Sequence, residues 1–395
     1  MKLLVVSAAY PAPSDPSRAV FIETLTRAQA AAGLSVSVVA PRVTRSDPPC
    51  EQRRGIDVRR FSYPGGGRRM KEVEAPSLLL LVGYALSSFA CVARQLIARR
   101  PDCVLCHWVL PTGPATALAA AILRVPLVLV AHGSDINTYA RRSGFFRALV
   151  RWTLLRARRV LAVSRVLEDT LVVDFDLPPT RVGWLPMGVD GSLFLRPRGN
   201  PKTERRDARR TLGLEVERRT VLFVGDLVTA KGVKELLAAW RLLEKRGVDA
   251  QLVLAGDGPL RIDTTTKNGN RAPRFIGRVN QGDLARWYRA ADLVVLPSHG
   301  EGMPVSLMEA LQCGVPVVAT TVGGIPELLE HGRLGRLVPP GDSAALARGL
   351  GELLTDDALR AKLCERLLEL APDRFTASGR ARALTPYLEE ACCGT

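Results

Sequence analysis

Two glutamates, Glu301 and Glu309, stand with seven residues between them in the run LPSHGEGMPVSLMEALQCGVPVVAT, which reads as strand, tight turn, helix, short loop and strand. Glu301 falls on the turn after the apolar strand 293–296, and Glu309 lies inside a helix that starts near Pro304. Both carboxylates can then reach a ligand resting on that helix N-terminus. An ionised carboxylate accepts hydrogen bonds from hydroxyls at roughly 1.5–3 kcal/mol each, chemistry suited to holding a polyol. Gly300 and Gly302 let backbone amides approach such a ligand. The spacing alone is also that of an ordinary solvated helix.

Three further strand ends carry polar or glycine-rich loops. In VGDLVTAKGV the strand 221–224 leads into Gly225, and Lys231 and Gly232 precede the helical run VKELLAAWRLLEK. Such a loop can aim a lysine and backbone amides at phosphate, although a plain capped turn has the same form. In LVLAGDGP the residues Gly256, Gly258 and Pro259 end a buried strand, where turn chemistry is a sufficient reason for them. VLVAHGSDIN sets His132, Gly133, Ser134 and Asp135 at the end of another. A histidine there can be a satisfied polar group, but its place at a presumed switch point favours function. The Asp-x-Asp at Asp174 and Asp176 precedes a Pro-Pro turn and reads as a surface helix end rather than a metal-nucleotide site.

These loops need a scaffold, and the chain is long enough for two cores, with 395 residues and 47% hydrophobic content. Apolar strands at 3–7, 35–40, 57–61, 103–107, 127–131 and 160–163 alternate with helical stretches. The rhythm restarts at 221–224, 251–255, 274–276, 293–296, 315–319 and 335–338, after the charged, Pro- and Gly-rich GSLFLRPRGNPKTERRDARR, which reads as a linker. Two mainly parallel α/β sheets follow from this alternation, with ligands expected beyond the carboxyl ends of the strands and the active site between the domains. The longest uncharged segment, 75–93, contains Pro76, Ser77, Gly83, Ser87 and Ser88 and reads as a buried helix rather than a membrane span. MKLLVVSAAYPAP suits a first buried strand better than a secretory leader, which places the protein in the cytoplasm.

The run around Glu301 and Glu309 resembles the signature of the family 4 retaining glycosyltransferases, and the resemblance covers most of the chain. It implies the GT-B fold: an acceptor-side Rossmann-like domain at 1–190, a nucleotide-sugar-binding one at 191–371, and a last helix at 372–395 crossing back to the first, kinked or ended by Pro386. By the same resemblance Glu309 holds the ribose hydroxyls and Glu301 the hydroxyls of the transferred sugar. The amides of Gly302, Met303 and Val305 face sugar and phosphates, and Gly225 and Lys231 belong to the phosphate loop. Gly256, Gly277, Arg278 and Val279 lie by the nucleotide, and His132 by the anomeric carbon. The implied reaction moves a sugar, with retention and without metal or other cofactor, from a UDP-, GDP- or ADP-sugar to a glycan or lipid-linked hydroxyl. HGSDIN is similar to transferases of bacterial envelope polysaccharides, including the teichuronic-acid type.

Two departures from the family pattern matter. Asp226 stands where the phosphate loop has arginine, and a carboxylate about 5 Å from one phosphate charge costs ~3 kcal/mol at an effective dielectric of about 20. Arg18 or Arg278 are the candidate replacement cations. The amino-terminal loop has Ser17, Arg18 and Ala19 where the family has a glycine pair, and Gly323, Gly324 and Glu327 in GGIPE match a family turn that either contacts ligand or only shapes the loop. A sugar-nucleotide epimerase and a non-catalytic nucleotide-sugar-binding partner remain the competing readings.

Charge narrows the partners. Residues 1–190 hold 25 Lys and Arg against 14 Asp and Glu, a net +11, against +5 for the remainder. Arginine pairs at 53/54, 59/60, 68/69, 99/100, 141/142 and 158/159 fit an anionic membrane surface, while 5% aromatic content without a helix-turn-helix or zinc-finger pattern argues against nucleic acid. The acceptor contacts are expected from the loops 63–74 and 135–147. The eight cysteines include Cys103 and Cys106 without a second CxxC, and read as reduced, mostly buried thiols, with Cys392 and Cys393 as possible lipid acceptors.

Overall fold

Runs of Val, Leu and Ala too apolar to face water on either side become the central strands of two parallel sheets. The computed structural model describes residues 1–64, 77–136, 140, 143–194, 201–261, 272–370 and 372–393. The chain divides into two compact units, Met1–Gly188 with Ala377–Thr395, and Val189–Thr376.

The first unit holds β1 (Lys2–Ser7), β2 (Ser35–Pro41), β3 (Cys50–Arg53), β4 (Ile56–Phe61), β5 (Cys103–His107), β6 (Leu127–Ala131), β7 (Arg159–Ala162) and β8 (Val182–Trp184). They form one sheet in the order β3-β4-β2-β1-β5-β6-β7-β8, parallel except where the edge strand β3 runs antiparallel to β4. Helices α1 (Val20–Ala31), α2 (Leu78–Arg99), α3 (Gly113–Ile122), α4 (Gly144–Arg156) and α5 (Arg165–Val173) connect the strands. The chain moves outward from β1 in one direction and returns to its other side at β5, so the switch point lies at the carboxyl ends of β1 and β5.

In the second unit α6 (Pro201–Leu212), β9 (Arg219–Val224), α7 (Val233–Lys245), β10 (Ala250–Ala255), β11 (Arg274–Gly277), α8 (Gln281–Ala290) and β12 (Leu293–Leu296) come first. Then follow α9 (Val305–Gln312), β13 (Val317–Thr320), α10 (Ile325–Leu328), β14 (Gly335–Val338), α11 (Ser343–Thr355) and α12 (Asp357–Glu369). All six strands are parallel, in the order β11-β10-β9-β12-β13-β14, with the switch point between β9 and β12. Val189, where the chain enters this unit, donates its amide to the Phe375 carbonyl at 2.8 Å, where the chain leaves it.

Four expectations change. The stretch read as a linker ends in α6, which packs on α8 because Arg209, 3% exposed, pairs with the fully buried Asp292 and donates from Nε to the Ala290 carbonyl at 3.0 Å. Its charged composition hid a helix whose arginines are anchored inward. The segment expected to be a buried helix is α2, buried along one side only: Tyr84, Ser88, Val92 and Leu96, spaced by four, face the sheet, while Leu79 is 73% exposed. The last helix, α13 (Ala377–Cys393), runs through Pro386, so of the two outcomes expected there, a kink or an end, the end does not occur. Leu384, Leu388 and Ala391 are buried on either side of the proline and the helix lies along α1, so packing outweighs the one backbone bond that proline cannot make.

The arginine pairs are the fourth, and only in part, since Arg54, Arg100 and Arg158 stay exposed. Arg53 donates to Glu23 at 2.6 Å, the buried Arg60 pairs with Glu51, and Arg159 pairs with Glu390 of α13. These cations hold the fold together and are not offered to a surface. Arg68, Arg69, Arg141 and Arg142 lie outside the described residues, as do most of the loop 63–74 and part of 135–147.

Candidate functional site

The loops after β9 and β12 meet at the switch point of the second sheet, and their backbones are stitched together. The His299 amide donates to the Ala230 carbonyl at 2.9 Å, and Thr320 Oγ1 at the end of β13 donates to the Ser298 carbonyl at 2.6 Å. Lys231 closes a single 3-10 turn, Thr229–Lys231, and Gly232 reverses into α7 with φ +69. A Cβ at Gly232 would lie 1.9 Å from the Pro297 carbonyl oxygen, so a side chain there would drive the lysine loop off the β12 loop. With that approach made, Lys231 Nζ donates to Glu301 Oε1 at 2.6 Å, and Ser298 Oγ donates to the same oxygen at 2.6 Å.

Glu301 is held from its other side by the GGIPE turn. Gly323 has φ +53, and a Cβ on it would sit 1.7 Å from the Glu301 carbonyl oxygen, while the Gly324 amide donates to the Gly302 carbonyl at 2.9 Å. The turn thus shapes the Glu301 loop, one of the two readings its sequence allows. Pro304 is the N-cap of α9 and no side-chain bond caps that terminus. Met303 is buried, and Gly302 and Val305 are half-buried.

Glu309 lies one turn into α9 and is 6% exposed. Tyr288 of α8 donates its hydroxyl to Glu309 Oε2 at 2.8 Å. Desolvation by burial pushes the Glu309 carboxyl up to about 7, with hydrogen bonds from Tyr288 and Gln281 acting in the opposite direction. At the ends of the neighbouring strands, Gly225 donates its amide to the Ala255 carbonyl at 3.0 Å, and Gly256 donates to the Gly277 carbonyl at 2.8 Å. The ends of β9, β10 and β11 are thereby drawn into one backbone-lined edge. Arg278 is exposed and Val279 half-buried beside it, and Asp226 is half-buried at the head of the lysine loop.

In the first unit the corresponding edge is aromatic. His132 follows β6, and its Nε2 lies 3.1 Å from Nδ1 of His107, the last residue of β5, so one ring donates and the other accepts. Burial first, and the neighbouring His107 second, hold His132 well below the usual imidazole range, and burial pushes His107 down to about 3. Both rings are neutral at pH 7. The Trp108 indole stacks on the His132 ring at a centroid distance of 4.4 Å and 26° between planes, with Phe21 of α1 tilted against His132 at 5.8 Å. Trp108 has φ +68, a left-handed conformation that a bulky residue rarely takes. Asp135, 1% exposed, accepts from the Val109 amide at 2.8 Å and the His132 amide at 3.1 Å, tying the β5 and β6 loops together. Burial raises its carboxyl to about 6, against the lowering effect of these amides.

Arg18 is 6% exposed, in the loop before α1, and Ala19 caps that helix with φ 49 and ψ 42. The alanine thus takes the left-handed conformation that a glycine adopts without strain. Asp174 caps the end of α5 and Asp176 lies 3.7 Å from Arg151, a surface helix end as expected. Cys103 and Cys106 are buried and burial pushes both thiols up, Cys106 to about 12. Sequence reasoning missed Trp108, His107, Tyr288 and Ser298. The run CHW at a strand end was a usable signal for the first two, whereas nothing local marks Tyr288, which meets Glu309 only through the packing of α8 on α9.

Comparison with known proteins bears on the whole chain. Residues 19–193 match the family described as Glycosyltransferase Family 4, and residues 218–356 the one described as Glycosyl transferases group 1. The chain is 31% identical to the putative teichuronic acid biosynthesis glycosyltransferase TuaC of Bacillus subtilis, over 97% of each protein. It is 30% identical to the D-inositol 3-phosphate glycosyltransferase of Thermobispora bispora, over 94% of this chain and 89% of that one. Among solved structures, a sucrose-phosphate synthase from Thermosynechococcus elongatus superposes with a TM-score of 0.79 at 21% identity, covering 100% of both chains. HepE of Anabaena, in complex with UDP-glucose, gives a TM-score of 0.75 at 21% identity over 99% of this chain and 100% of that one. Two parallel-sheet α/β units of this kind are the GT-B fold, and the chain belongs to the family 4 glycosyltransferases.

Proposed function

We propose that the protein transfers a hexosyl-type unit from a nucleoside diphosphate sugar, with retention at the anomeric carbon and without a metal ion, to a hydroxyl of a glycan or lipid-linked acceptor in envelope or exopolysaccharide synthesis. The observation that carries this reading is the Lys231–Glu301 pair at the second unit's switch point, a cation and a carboxylate on adjoining loops at 2.6 Å. Lys231, with the amides after Gly225 and the uncapped N-terminus of α9, takes the departing diphosphate, where charge develops as the glycosidic bond breaks. Glu301 accepts from the hydroxyls of the transferred sugar and Glu309 from the ribose. The edge formed by Gly256, Gly277, Arg278 and Val279 takes the base, whether uridine, guanosine or adenosine. The amides of Gly302, Met303 and Val305 face sugar and phosphates.

Neutral His132 suits a group beside the anomeric carbon, since it can direct a lone pair or its carbonyl at developing positive charge without adding a cation. A departing phosphate oxygen takes the acceptor proton in this scheme, so no side-chain base is required. Arg18 or Arg278 supplies the second phosphate cation in place of the arginine that Asp226 replaces. The envelope role follows the relative TuaC, and the donor class follows the HepE complex with UDP-glucose. A lipid-linked acceptor places the protein on the inner face of the cytoplasmic membrane, held at an anionic surface. Incubating the full chain with a panel of UDP-, GDP- and ADP-sugars, and following each by mass spectrometry, tests the reading. Slow hydrolysis of one donor, lost in Lys231→Ala, is the expected result. Isomerised donor without hydrolysis would establish an epimerase, and binding without any conversion a non-catalytic partner.

A further inference from the structure

Helix α2 has 22 residues and is apolar enough to cross a membrane, but it packs along β4, β1 and β2 and against α3, so it cannot leave the sheet without unfolding the unit. Its outward side is nevertheless apolar. Leu79, Val82, Leu86 and Ile97 fall within about 60° of one another around the helix axis, and the last two are 64% and 63% exposed. Water covers none of these at a profit, and a stripe of this length on a single helix is unusual in a protein that meets only solvent.

The stripe does not end at α2. Helix α3 lies beside it and exposes Leu118 and Ile122, and α4, packed on α3, exposes Phe145 at 71%. One layer on one side of the sheet thus presents apolar side chains from three neighbouring helices. None of the three helices contains an Asp or Glu. From residue 75 to 167 the sequence holds 12 arginines against two carboxylates, Asp102 and Asp135. Asp135 is buried in the His132 site, and Asp102, exposed just after α2, accepts from the Lys2 amide at 2.7 Å at the amino ends of β1 and β5. Exposed Arg94 lies between Ala90 and Ile97 on the flank of the α2 stripe, and exposed Arg124 follows Ile122 by two residues. On α4, Arg151 faces Asp176 at 3.7 Å and Arg147 donates to the Asp174 carbonyl at 2.6 Å, so those two turn toward α5.

From this geometry we infer that the outer face of α2, α3 and α4 is the surface by which the protein lies on an anionic lipid bilayer. The inference rests on the membrane reading given above and assigns it to residues. An apolar face whose three helices carry no Asp or Glu of their own, with arginine on α2 and α4, complements a leaflet: the side chains enter the acyl boundary, and the exposed arginines meet lipid phosphates at about 1 kcal/mol each. Among the described residues, the carboxylates at this rim are already engaged, Asp57 by Arg99 and Asp176 facing Arg151, so the charge left over on these helices is positive. The arginine pairs first suspected from sequence at 53, 60 and 159 are spent on internal ion pairs, so the docking charge comes from other residues.

The test is co-sedimentation of the full chain with vesicles of phosphatidylglycerol and phosphatidylcholine in equal parts, and with phosphatidylcholine alone, at physiological salt. Wild type should partition to the anionic vesicles only. The doubly substituted Leu86→Asp, Ile97→Asp should lose about tenfold or more of that partition, with the melting temperature and donor hydrolysis unchanged, because both side chains already face water. Arg94→Glu with Arg124→Glu should weaken it in a salt-dependent way. Undiminished partition of both variants would place docking elsewhere and overturn the assignment while leaving the membrane reading intact. Absence of wild-type partition would overturn both. Self-association of wild type that the Leu86→Asp, Ile97→Asp variant abolishes, without vesicle binding, would show that a second copy covers this face and would also overturn the inference.

Discussion

Glu309 provides a stability prediction whose sign and size follow from its surroundings. Its carboxyl is removed from water beneath α8, and burial raises it from an ordinary 4.5 to about 7. The folded state therefore holds this proton more tightly than the unfolded chain. Its contribution is fully present below about 4.5 and is lost as pH rises through about 7. At 1.36 kcal/mol per unit, the loss amounts to ~3 kcal/mol across that window. In Glu309→Gln the amide oxygen can still accept from Tyr288, but nothing titrates. Urea unfolding of both proteins from pH 5 to pH 8 should show Glu309→Gln gaining on wild type by ~3 kcal/mol as pH rises. Donor binding should move in the opposite sense, because a ribose hydroxyl donates to the ionised form. Affinity for the nucleotide sugar, whose diphosphate does not titrate here, should rise by up to about tenfold per unit below pH 7 in wild type and stay level in the variant. Parallel unfolding curves, with a level donor affinity in wild type, would refute the assignment of an elevated Glu309 to the ribose.

Four further outcomes are expected. Lys231→Ala should lower kcat by roughly 100-fold to 1000-fold, and a double-mutant cycle with Glu301→Gln should be non-additive by about 0.5–3 kcal/mol in transition-state energy, measured from kcat/KM. Gly323→Ala should reduce turnover and melting temperature together, since the new Cβ meets the Glu301 carbonyl at 1.7 Å, and a variant with wild-type kcat would show that the turn does not fix Glu301. Ala19→Gly should stabilise the protein by about 1 kcal/mol in chemical unfolding, by relieving the left-handed alanine at the α1 cap. Arg209→Leu should destabilise by about 3 kcal/mol in the same assay, because it removes one partner of a fully buried aspartate, although Arg205 at 3.3 Å and the Thr220 amide at 2.8 Å remain.

The parallel cores were legible because both sheet faces are covered and their strands are nearly unbroken runs of Val, Leu and Ala. The edge strands β3 and β8 were not, since an edge strand such as CEQR is mostly polar and three residues of β8 carry no period. Of the site, every loop picked out by glycine, lysine or glutamate at a strand end lies at the expected sheet edge. Partners joined by tertiary packing were invisible, as Tyr288 on Glu309 and Trp108 on His132 show. The clearest misreading has a common cause in α2 and α6. Composition reports how apolar or charged a segment is but not which way its side chains turn: α6 directs arginine inward to Asp292, and α2 directs leucine outward.

The Lys231–Glu301 pair bears on how recognition and chemistry are joined. An ammonium has three donors, and here one is given to Glu301 Oε1, where Ser298 also donates. Lys231 can keep that bond while offering another to a phosphate, so donor binding need not break the pair, and the lysine is already held in one orientation without a ligand. Orientation held in advance is what makes a charge effective as a bond breaks, because little reorganisation is then required. In the proposed reading Glu301 in turn keeps a second oxygen for a sugar hydroxyl. On that reading a sugar that fits Glu301 would steady the cation proposed to stabilise its own leaving group, and one that displaces Glu301 would also displace Lys231. Selectivity for the donor sugar would then be expressed in kcat as much as in KM, a consequence of placing the two side chains on loops pinned together by Gly232 and Gly323.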